Sequence, residues 1–176
     1  VAFGIANQFY HIATSKGLNF DRLRAAIVHR YPRAVSFPRS GFTAGPCLFK
    51  DTMQLAAYCR HTFSLGHAAM LVNETMPDSV VEQARRQMGS LSGLSCGILG
   101  MAFKPDNDDW RESLAFKLRS VLLWEGAKVR CTDVYMKREG FVSLSEVLES
   151  EILFLGCPHA EYQRISIRSD QKLYDC

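Results

Sequence analysis

The sequence lacks the features that define several large functional classes. It contains no apolar run as long as a transmembrane helix requires, and its start does not resemble a secretory signal peptide, so we expect no membrane partner. Excess charge is also small, because 21 basic and 18 acidic side chains are interspersed and leave a net charge of +3. Because the charges are so evenly balanced, nucleic acid is not expected as a partner.

Metal-binding patterns are absent as well. The cysteines show no CxxC spacing, and several lie in apolar runs typical of buried strands; they are Cys47, Cys59, Cys96, Cys131, Cys157 and Cys176. We therefore expect reduced thiols and a cytoplasmic location. His61 and His67 fit one helical face poorly, so no metal site is expected.

The spacing of apolar residues divides the chain into two parts. Up to residue 89 it is helical, with breaks at Gly17, in the proline- and arginine-rich stretch 31–38 and near 64–66. After the linker 89–93, short apolar runs predict strands at 94–103, 128–133, 152–157 and 172–175, alternating with helices at 114–126 and 143–148. This order predicts an α/β fold, with a helical domain at 1–90 and a Rossmann-like, doubly wound parallel sheet at 91–176.

One stretch combines a nucleophile with the backbone of a binding loop. Residues 41–51 read Gly-Phe-Thr-Ala-Gly-Pro-Cys-Leu-Phe-Lys-Asp, so glycines precede Cys47 and a lysine and an aspartate follow it. Glycines let a backbone approach a ligand closely, and a nearby cation favours the thiolate. The helical pattern opens at Asp51, so we expect Cys47 just before a helix N-terminus. From the residues alone, a buried cysteine in a capped loop is the alternative.

A second candidate site follows the first predicted strand. Gly97 and Gly100 resemble the start of a dinucleotide fingerprint, but the third glycine is missing and a long charged loop precedes the next helix. We interpret it as a different kind of nucleotide site, with Lys104 and Arg111 facing phosphate or ribose; a solvated charged loop is the alternative.

Other polar residues have simpler interpretations. Asp108 and Asp109 lie beside basic residues, which favours an internal ion pair over a magnesium site. Asn73 and Glu74 lie among apolar helical neighbours and are expected to make structural hydrogen bonds. Cys176 ends the chain and is expected at the surface, without a cation to activate it.

Two motifs together resemble the UDP-glucose/GDP-mannose dehydrogenase family of NAD-dependent nucleotide-sugar 6-dehydrogenases. The family's active-site loop, approximately G-F-x-x-G-G-S-C-x-x-K-D, is matched by Gly41, Phe42, Gly45, Cys47, Lys50 and Asp51. Its G-x-x-G-x-x-F-K-x-x-x-D-D-x-R-x-S motif is matched by Gly97, Gly100, Phe103, Lys104, Asp108, Asp109, Arg111 and Ser113. The late P-H-x-x-Y segment is similar to Pro158, His159 and Tyr162, so the resemblance extends over essentially the whole chain.

The resemblance implies a domain organisation and an activity. Family members begin with a dinucleotide-binding domain and a long helix that carries a catalytic lysine and asparagine. This sequence is expected to start within that helix, past the lysine, and to correspond to the central dimerisation domain and the UDP-binding domain. The implied reaction is a four-electron oxidation of a sugar C6 alcohol to a carboxylate with two NAD⁺, in a homodimer. NAD would be bound mainly by a domain outside this sequence, so the isolated chain is not expected to oxidise nucleotide sugars.

The resemblance also assigns roles to residues. Cys47 would attack the aldehyde stage and pass from a thiohemiacetal to a thioester, and Asp51 would orient the water that hydrolyses it. Lys50 would serve the cofactor or the oxyanion, and Arg33 would reach across the dimer to the partner's nucleotide sugar. The residues expected to bind the UDP-sugar diphosphate are Phe37, Arg39, Gly41, Phe42 and Gly45. The residues expected to complete the UDP side are Phe103, Lys104 and Arg111, with Arg111 and Lys50 also close to NAD.

One departure leaves the substrate open. Ala44, Gly45 and Pro46 stand where the family has Gly-Gly-Ser, and Pro46 lacks the N–H that could donate to a ligand. UDP-glucose is the leading substrate, with GDP-mannose and a UDP-N-acetylhexosamine as alternatives. A non-catalytic nucleotide-sugar-binding or dimerisation module that retains the cysteine is the rival interpretation. A free-standing thiol enzyme is disfavoured, because no histidine is placed by the sequence as a base.

Overall fold

The structure is a computed structural model that describes residues 1–43, 45–60 and 62–176. The described residues form a helical part followed by an α/β part. The helical part contains α1 (Ala2–Ser15), α2 (Phe20–Val28), a 3-10 turn (Pro32–Ala34), α3 (Pro46–Tyr58), α4 (Ser64–Glu74) and α5 (Met76–Met88). The α/β part contains β1 (Ser95–Leu99), α6 (Leu114–Trp124), β2 (Lys128–Thr132), α7 (Leu144–Leu148), β3 (Ile152–Leu155), a 3-10 turn (Ala160–Arg164) and β4 (Lys172–Asp175).

The helical part is built around a close approach of α1 and α4. A Cβ placed on Gly4 would lie 2.8 Å from the Cβ of Ala69, so only small residues allow the two helices to pack at this distance. Asn19 caps α2, because its side chain accepts a hydrogen bond from the backbone N–H of Arg22 at 2.9 Å. Within the described residues, none of the helices is long and apolar enough to cross a membrane.

The break between α3 and α4 differs from the prediction. It was expected near residues 64–66, but α3 ends at Tyr58 and α4 begins at Ser64. Gly66 lies inside α4, where the ring of Phe63 fills the space that a Cβ would occupy. This glycine therefore serves packing rather than chain reversal.

The strands form one parallel sheet in the order β2-β1-β3-β4. Side chains alternate between two buried faces: Ile98 and Phe154 point towards α6, whereas Leu99 and Leu153 point towards α7. Helices on both faces of a parallel sheet define a doubly wound α/β arrangement, so the predicted fold class is confirmed. After β1 the chain adds β2 on one side and then returns to add β3 on the other side, so the switch point of the sheet lies between β1 and β3.

Helix α5 packs against the sheet part as well as against the helices. Its residues Val80, Val81 and Ala84 are buried in the same apolar cluster as Leu118 and Leu122 of α6. The boundary at 90/91 remains a prediction, but the core of the α/β part includes side chains from before it.

Candidate active site

Helix α3 begins earlier than predicted and contains Cys47 in its first turn. Gly45 is the N-cap, with φ +131°, and Pro46 is the first helical residue. Proline suits this position because its φ is already helical and its missing N–H would have no partner in the helix. The expected start at Asp51, with Cys47 outside the helix, was therefore wrong by one turn.

The first turns of α3 bring the predicted catalytic residues onto one face. Lys50 and Asp51 follow Cys47 by three and four positions, the spacings that place side chains on the same side of a helix. Lys50 Nζ lies 3.4 Å from Asp51 Oδ1, and both side chains are more than half exposed. Such a pair contributes little stability, so both groups are available to a ligand.

Cys47 differs from most other cysteines in its exposure. Burial raises the pKa of Cys96 and Cys131 to about 11 and that of Cys157 to about 12, whereas Cys47 is exposed. Cys176 was expected at the surface but is buried. Its backbone N–H donates to the carbonyl of Leu155 at 3.1 Å, which continues the pairing of β4 and directs the side chain into the core.

The cysteine loop contacts the loop that follows β1. A Cβ on Gly45 would come within 3.1 Å of the Phe103 ring, so the two motifs predicted from the sequence meet at this point. The Nζ of Lys104 lies 5.4 Å from the centroid of the same ring. Phe103 thus joins the helical part to the α/β part beside Cys47.

Arg111 is oriented by the predicted internal ion pair. Its guanidinium donates to both carboxylate oxygens of Asp109, with a shortest N–O distance of 2.7 Å. These hydrogen bonds hold the pKa of Asp109 down at about 2. The Asp109 carboxylate in turn raises the pKa of Arg111, and negative charge on Cys47 adds to that effect. Arg111 is therefore a cation held in place by Asp109 in the loop after β1.

The turn after β1 is held by a buried carboxylate and a buried histidine. Asp133 Oδ2 accepts the backbone N–H groups of Met101 at 2.6 Å and Ala102 at 3.1 Å. Asp106 donates its N–H to His159 Nδ1 at 2.9 Å, so the proton lies on Nε2, which donates to Asp133 at 3.1 Å. Burial raises the pKa of Asp133, but the bonds from His159 and the backbone outweigh it and leave the pKa lowered.

This carboxylate bears on whether the sheet could hold NAD. In dinucleotide-binding domains the N–H groups of the first turn face phosphate and an acid after the second strand binds ribose. Here the acid after β2, Asp133, binds those N–H groups itself. A Cβ on Gly100 would lie 2.7 Å from the Cβ of Cys157, so the crevice at the switch point is also closed. The sheet's own crevice does not fit a dinucleotide.

The cysteine loop is anchored at its start by a residue that the sequence analysis did not single out. Asn7 of α1 is fully buried and hydrogen-bonds both backbone groups of Gly41, accepting from its N–H at 2.9 Å and donating to its carbonyl at 3.0 Å. It also donates to Asn73 Oδ1 at 3.0 Å, which confirms the structural hydrogen bonding expected of Asn73. Glu74, the other member of that pair, contacts Lys117 of α6.

The other predicted binding residues lie along the edge of α2. Arg33 is exposed in the 3-10 turn, and Phe37 packs edge-to-face on Phe9 at 6.3 Å between ring centroids. Arg39 lies 3.3 Å from Asp21 in a cleft that Asp175 also lines and whose lining does not include Cys47. The roles given to these residues stay predictions.

The remaining predicted contacts surround Cys47. Phe42 is partly buried against the core of the α/β part. A cleft of about 570 Å³ lies between α3 and Glu112 of the loop after β1; Pro46, Phe49 and Lys50 line it, and Cys47 is not part of its lining. Ala44, which departs from the family motif, and His61, which was not expected to bind metal, lie outside the described residues.

The fold defines a class of proteins in which helices and a Rossmann-like sheet meet at a cysteine loop. A solved UDP-glucose dehydrogenase from Pyrobaculum islandicum has this fold, with a TM-score of 0.81 and 25% identity, over 98% of this chain and 43% of that one.

Sequence comparison gives the family. Residues 97–174 match the model of the UDP-glucose/GDP-mannose dehydrogenase family, UDP binding domain. A UDP-N-acetyl-D-mannosamine dehydrogenase of Methanocaldococcus jannaschii is 30% identical over 169 residues, which are 93% of this chain and 38% of the relative. A UDP-glucose 6-dehydrogenase of Bacillus subtilis is 32% identical over 92 residues, 51% of this chain and 21% of the relative.

The chain belongs to the UDP-glucose/GDP-mannose dehydrogenase family. It spans well under half the length of these relatives, 38% of the archaeal protein and 21% of the bacterial one.

Proposed function

We propose that this chain supplies the nucleophile and the UDP-binding part of an NAD-dependent UDP-sugar 6-dehydrogenase. The observation that carries the proposal is the meeting of two loops: an exposed cysteine in a helix N-terminal turn lies next to the loop after β1 of a domain matched as UDP-binding, with Gly45 against Phe103 at their contact. Neither loop alone would indicate this chemistry, because a lone cysteine is more often structural.

Cys47 is suited to covalent catalysis on an aldehyde. The first N–H groups of α3 have no partner within the helix and favour negative charge, both on a thiolate and on the oxyanion of a thiohemiacetal. Arg111 adds positive charge from the opposite loop. Loss of hydride from the thiohemiacetal carbon would leave a thioester on Cys47, and Asp51, one turn further along the same face, would orient the water that releases the carboxylate.

NAD⁺ supplies the hydride acceptor for both oxidation steps when it is bound. Lys50 and Arg111 fit an anionic cofactor, because both are exposed cations, Lys50 on the helix of Cys47 and Arg111 in the loop after β1. Their role would be to orient the cofactor at the thiol, since the sheet's own crevice does not fit a dinucleotide. The free thiols, four of them buried, suit a reducing, cytoplasmic location.

UDP-glucose remains the leading substrate, with a UDP-N-acetylhexosamine next. Both kinds of sugar occur among the names of the relatives, UDP-glucose for the bacterial protein and UDP-N-acetyl-D-mannosamine for the archaeal one. GDP-mannose is disfavoured, because the matched domain is described as UDP-binding.

We also propose a homodimer formed through α1. One face of this helix carries four apolar side chains that are each 41–52% exposed: Val1, Ile5, Phe9 and Ile12. A helix that buries one apolar face and exposes another usually has a partner for the second face.

Limiting alkylation tests the proposal directly. Iodoacetamide near pH 7 should label Cys47 first, and millimolar UDP-glucose or UDP-N-acetylmannosamine should slow that labelling at least fivefold while GDP-mannose does not. Cys59, at the other end of α3 and partly exposed, is the internal control and should show no ligand protection.

The outcome also separates catalyst from binding module. Labelling of Cys59 before Cys47, with no protection by either UDP-sugar, would contradict a nucleophilic Cys47. Binding of UDP-sugar seen by calorimetry without any protection of Cys47 would favour the non-catalytic module.

A further inference from the structure

The side-chain amide of Asn7 makes two hydrogen bonds to the backbone of one residue in the cysteine loop, Gly41. Its oxygen accepts the Gly41 N–H at 2.9 Å and its nitrogen donates to the Gly41 carbonyl at 3.0 Å. A carboxylate of the same shape would lack the donor, and an apolar side chain would lack both groups. Because Asn7 is fully buried, water cannot replace these bonds.

Gly41 is enclosed on its other side as well. Its φ is +143°, and a Cβ at this position would lie 3.1 Å from the carbonyl oxygen of Cys176, at the end of β4. The next residue, Phe42, packs on the core of the α/β part. The start of the loop is thus held between α1 and the sheet, and a substituted residue would be strained there by the positive φ.

The far end of the same loop is held by Phe103, against which Gly45 packs. Only the five residues 42–46 separate Gly41 from Cys47. Because Gly41 is held by Asn7 and Gly45 by Phe103, the N-terminus of the helix that carries Cys47 is placed against the loop of Lys104 and Arg111.

We propose that Asn7 is a positioning residue for the reaction: by holding Gly41 it sets where Cys47 stands relative to the cations of the UDP-binding loop. Asn7 touches neither thiol nor ligand in this role, and it acts through the backbone of the loop. The effect on ligand binding that we expect rests on the proposed function, whereas the effect on hydrogen exchange at Gly41 does not.

Asn73 provides a matched control. Asn73→Ala removes one hydrogen bond of Asn7 and weakens the contact between α1 and α4, but it leaves both bonds to Gly41 in place. Asn7→Ala removes all three. A purely structural role would make the two variants behave alike, whereas a positioning role separates them.

The first arm measures amide exchange by NMR in the 176-residue chain without ligand. The Gly41 amide should exchange as slowly as amides of the helical core in the wild type, at least tenfold faster in Asn7→Ala, and within threefold of wild type in Asn73→Ala. Wild-type exchange of Gly41 at the rate of an exposed loop would overturn the inference, and this measurement needs no variant to fold.

The second arm measures alkylation of Cys47 against UDP-glucose concentration. The concentration that halves the labelling rate should rise at least tenfold in Asn7→Ala and less than twofold in Asn73→Ala, with the rate at Cys59 within twofold throughout. Asn7→Asp, which keeps the shape and the acceptor for Gly41, should shift the same way and serves if the alanine variant does not fold.

The failures are distinguishable. Equal half-protection in wild type and both Asn7 variants would overturn the positioning role while leaving the proposed function intact. Absence of protection in the wild type would contradict the proposed function, and the exchange arm would then decide alone whether Asn7 holds the loop.

Discussion

Asp133→Asn is the substitution that tests the architecture of the loop after β1 most directly. The Asp133 side chain is fully buried and accepts five hydrogen bonds, all from groups that fix the ends of β1, β2 and β3. Oδ2 accepts from Met101, Ala102 and His159, and Oδ1 accepts the N–H groups of Tyr135 at 2.8 Å and Met136 at 3.2 Å. Asparagine preserves the shape but can present only one acceptor oxygen.

The expected loss follows from this count. With its oxygen towards Met101, Ala102 and His159, the asparagine would turn its own NH₂ towards the N–H groups of Tyr135, which is exposed, and Met136, whose hydrogen bond is partly buried, and both would lose their acceptor. An unpaired buried donor costs about 1–3 kcal/mol; this applies in part to the Met136 N–H and little to the Tyr135 N–H, which water can reach, while the three bonds that remain lose their charge assistance. Easier burial of a neutral amide offsets part of this, so we expect about 3 kcal/mol, a large share of the ~5–15 kcal/mol typical of a domain.

Urea denaturation followed by circular dichroism measures the change in the free energy of unfolding. Because the folded pKa of Asp133 is lowered, the carboxylate contributes stability above its unfolded pKa of about 4 and loses that contribution as the pH falls through the folded value. The difference between wild type and Asp133→Asn should therefore be largest at neutral pH and shrink below about pH 4.

Asp106→Asn is the control for this experiment. The Asp106 side chain is half exposed, its Oδ1 accepts the Ala160 N–H, and an asparagine oxygen can accept the same bond. We expect a change within about 0.5 kcal/mol. A loss under about 1 kcal/mol for Asp133→Asn, or a loss of equal size in both variants, would refute the role given to the buried carboxylate.

Two further predictions concern the close contact at the switch point and the assembly. Gly100→Ala should lower the free energy of unfolding by more than about 3 kcal/mol, because φ is +83° and the new Cβ would meet the backbone of Cys157 after β3. The control is Gly140→Ala, where φ is +82° but a Cβ meets nothing within 4 Å, so the cost should be about 1 kcal/mol. Equal melting temperatures for the two variants would contradict this prediction. Light scattering should give a dimer for the wild type and a monomer for Ile5→Glu, and a wild-type monomer at micromolar concentration would remove the proposed interface.

Local patterns predicted most of the fold. The β1 and β3 runs of apolar residues are buried on both faces of the sheet, a pattern that requires covering helices whatever the tertiary details. The pair of Arg111 with Asp109 also followed from sequence, since the two residues are close along the chain. The resemblance to the family motifs, in turn, assigned Cys47, Lys104 and Arg111 to one predicted active site.

Contacts between distant residues could not be predicted in the same way. Asn7 lies 34 positions from Gly41 and 66 from Asn73, so its amide looks like any polar residue in a helix until the helices are packed. The helix start at Pro46 depends on the positive φ of Gly45, which the apolar pattern does not report. Burial of Cys176 likewise follows from the pairing of β4 with β3, a choice of neighbour that a single strand does not encode.

The packing of α5 has a consequence for how this family's parts could be exchanged between proteins. A graft that begins in the linker at residues 89–93 would transfer the sheet, α6 and α7 but leave Val80, Val81 and Ala84 behind, opening the core beside Leu118 and Leu122 to water. A unit that can be transferred with its core intact therefore begins at Met76, the first residue of α5. Exchanging this unit for that of a relative would also replace Gln83 of α5, which accepts a hydrogen bond from Tyr10 of α1. A swap made to change the nucleotide that is bound would therefore also change the packing of the helical part.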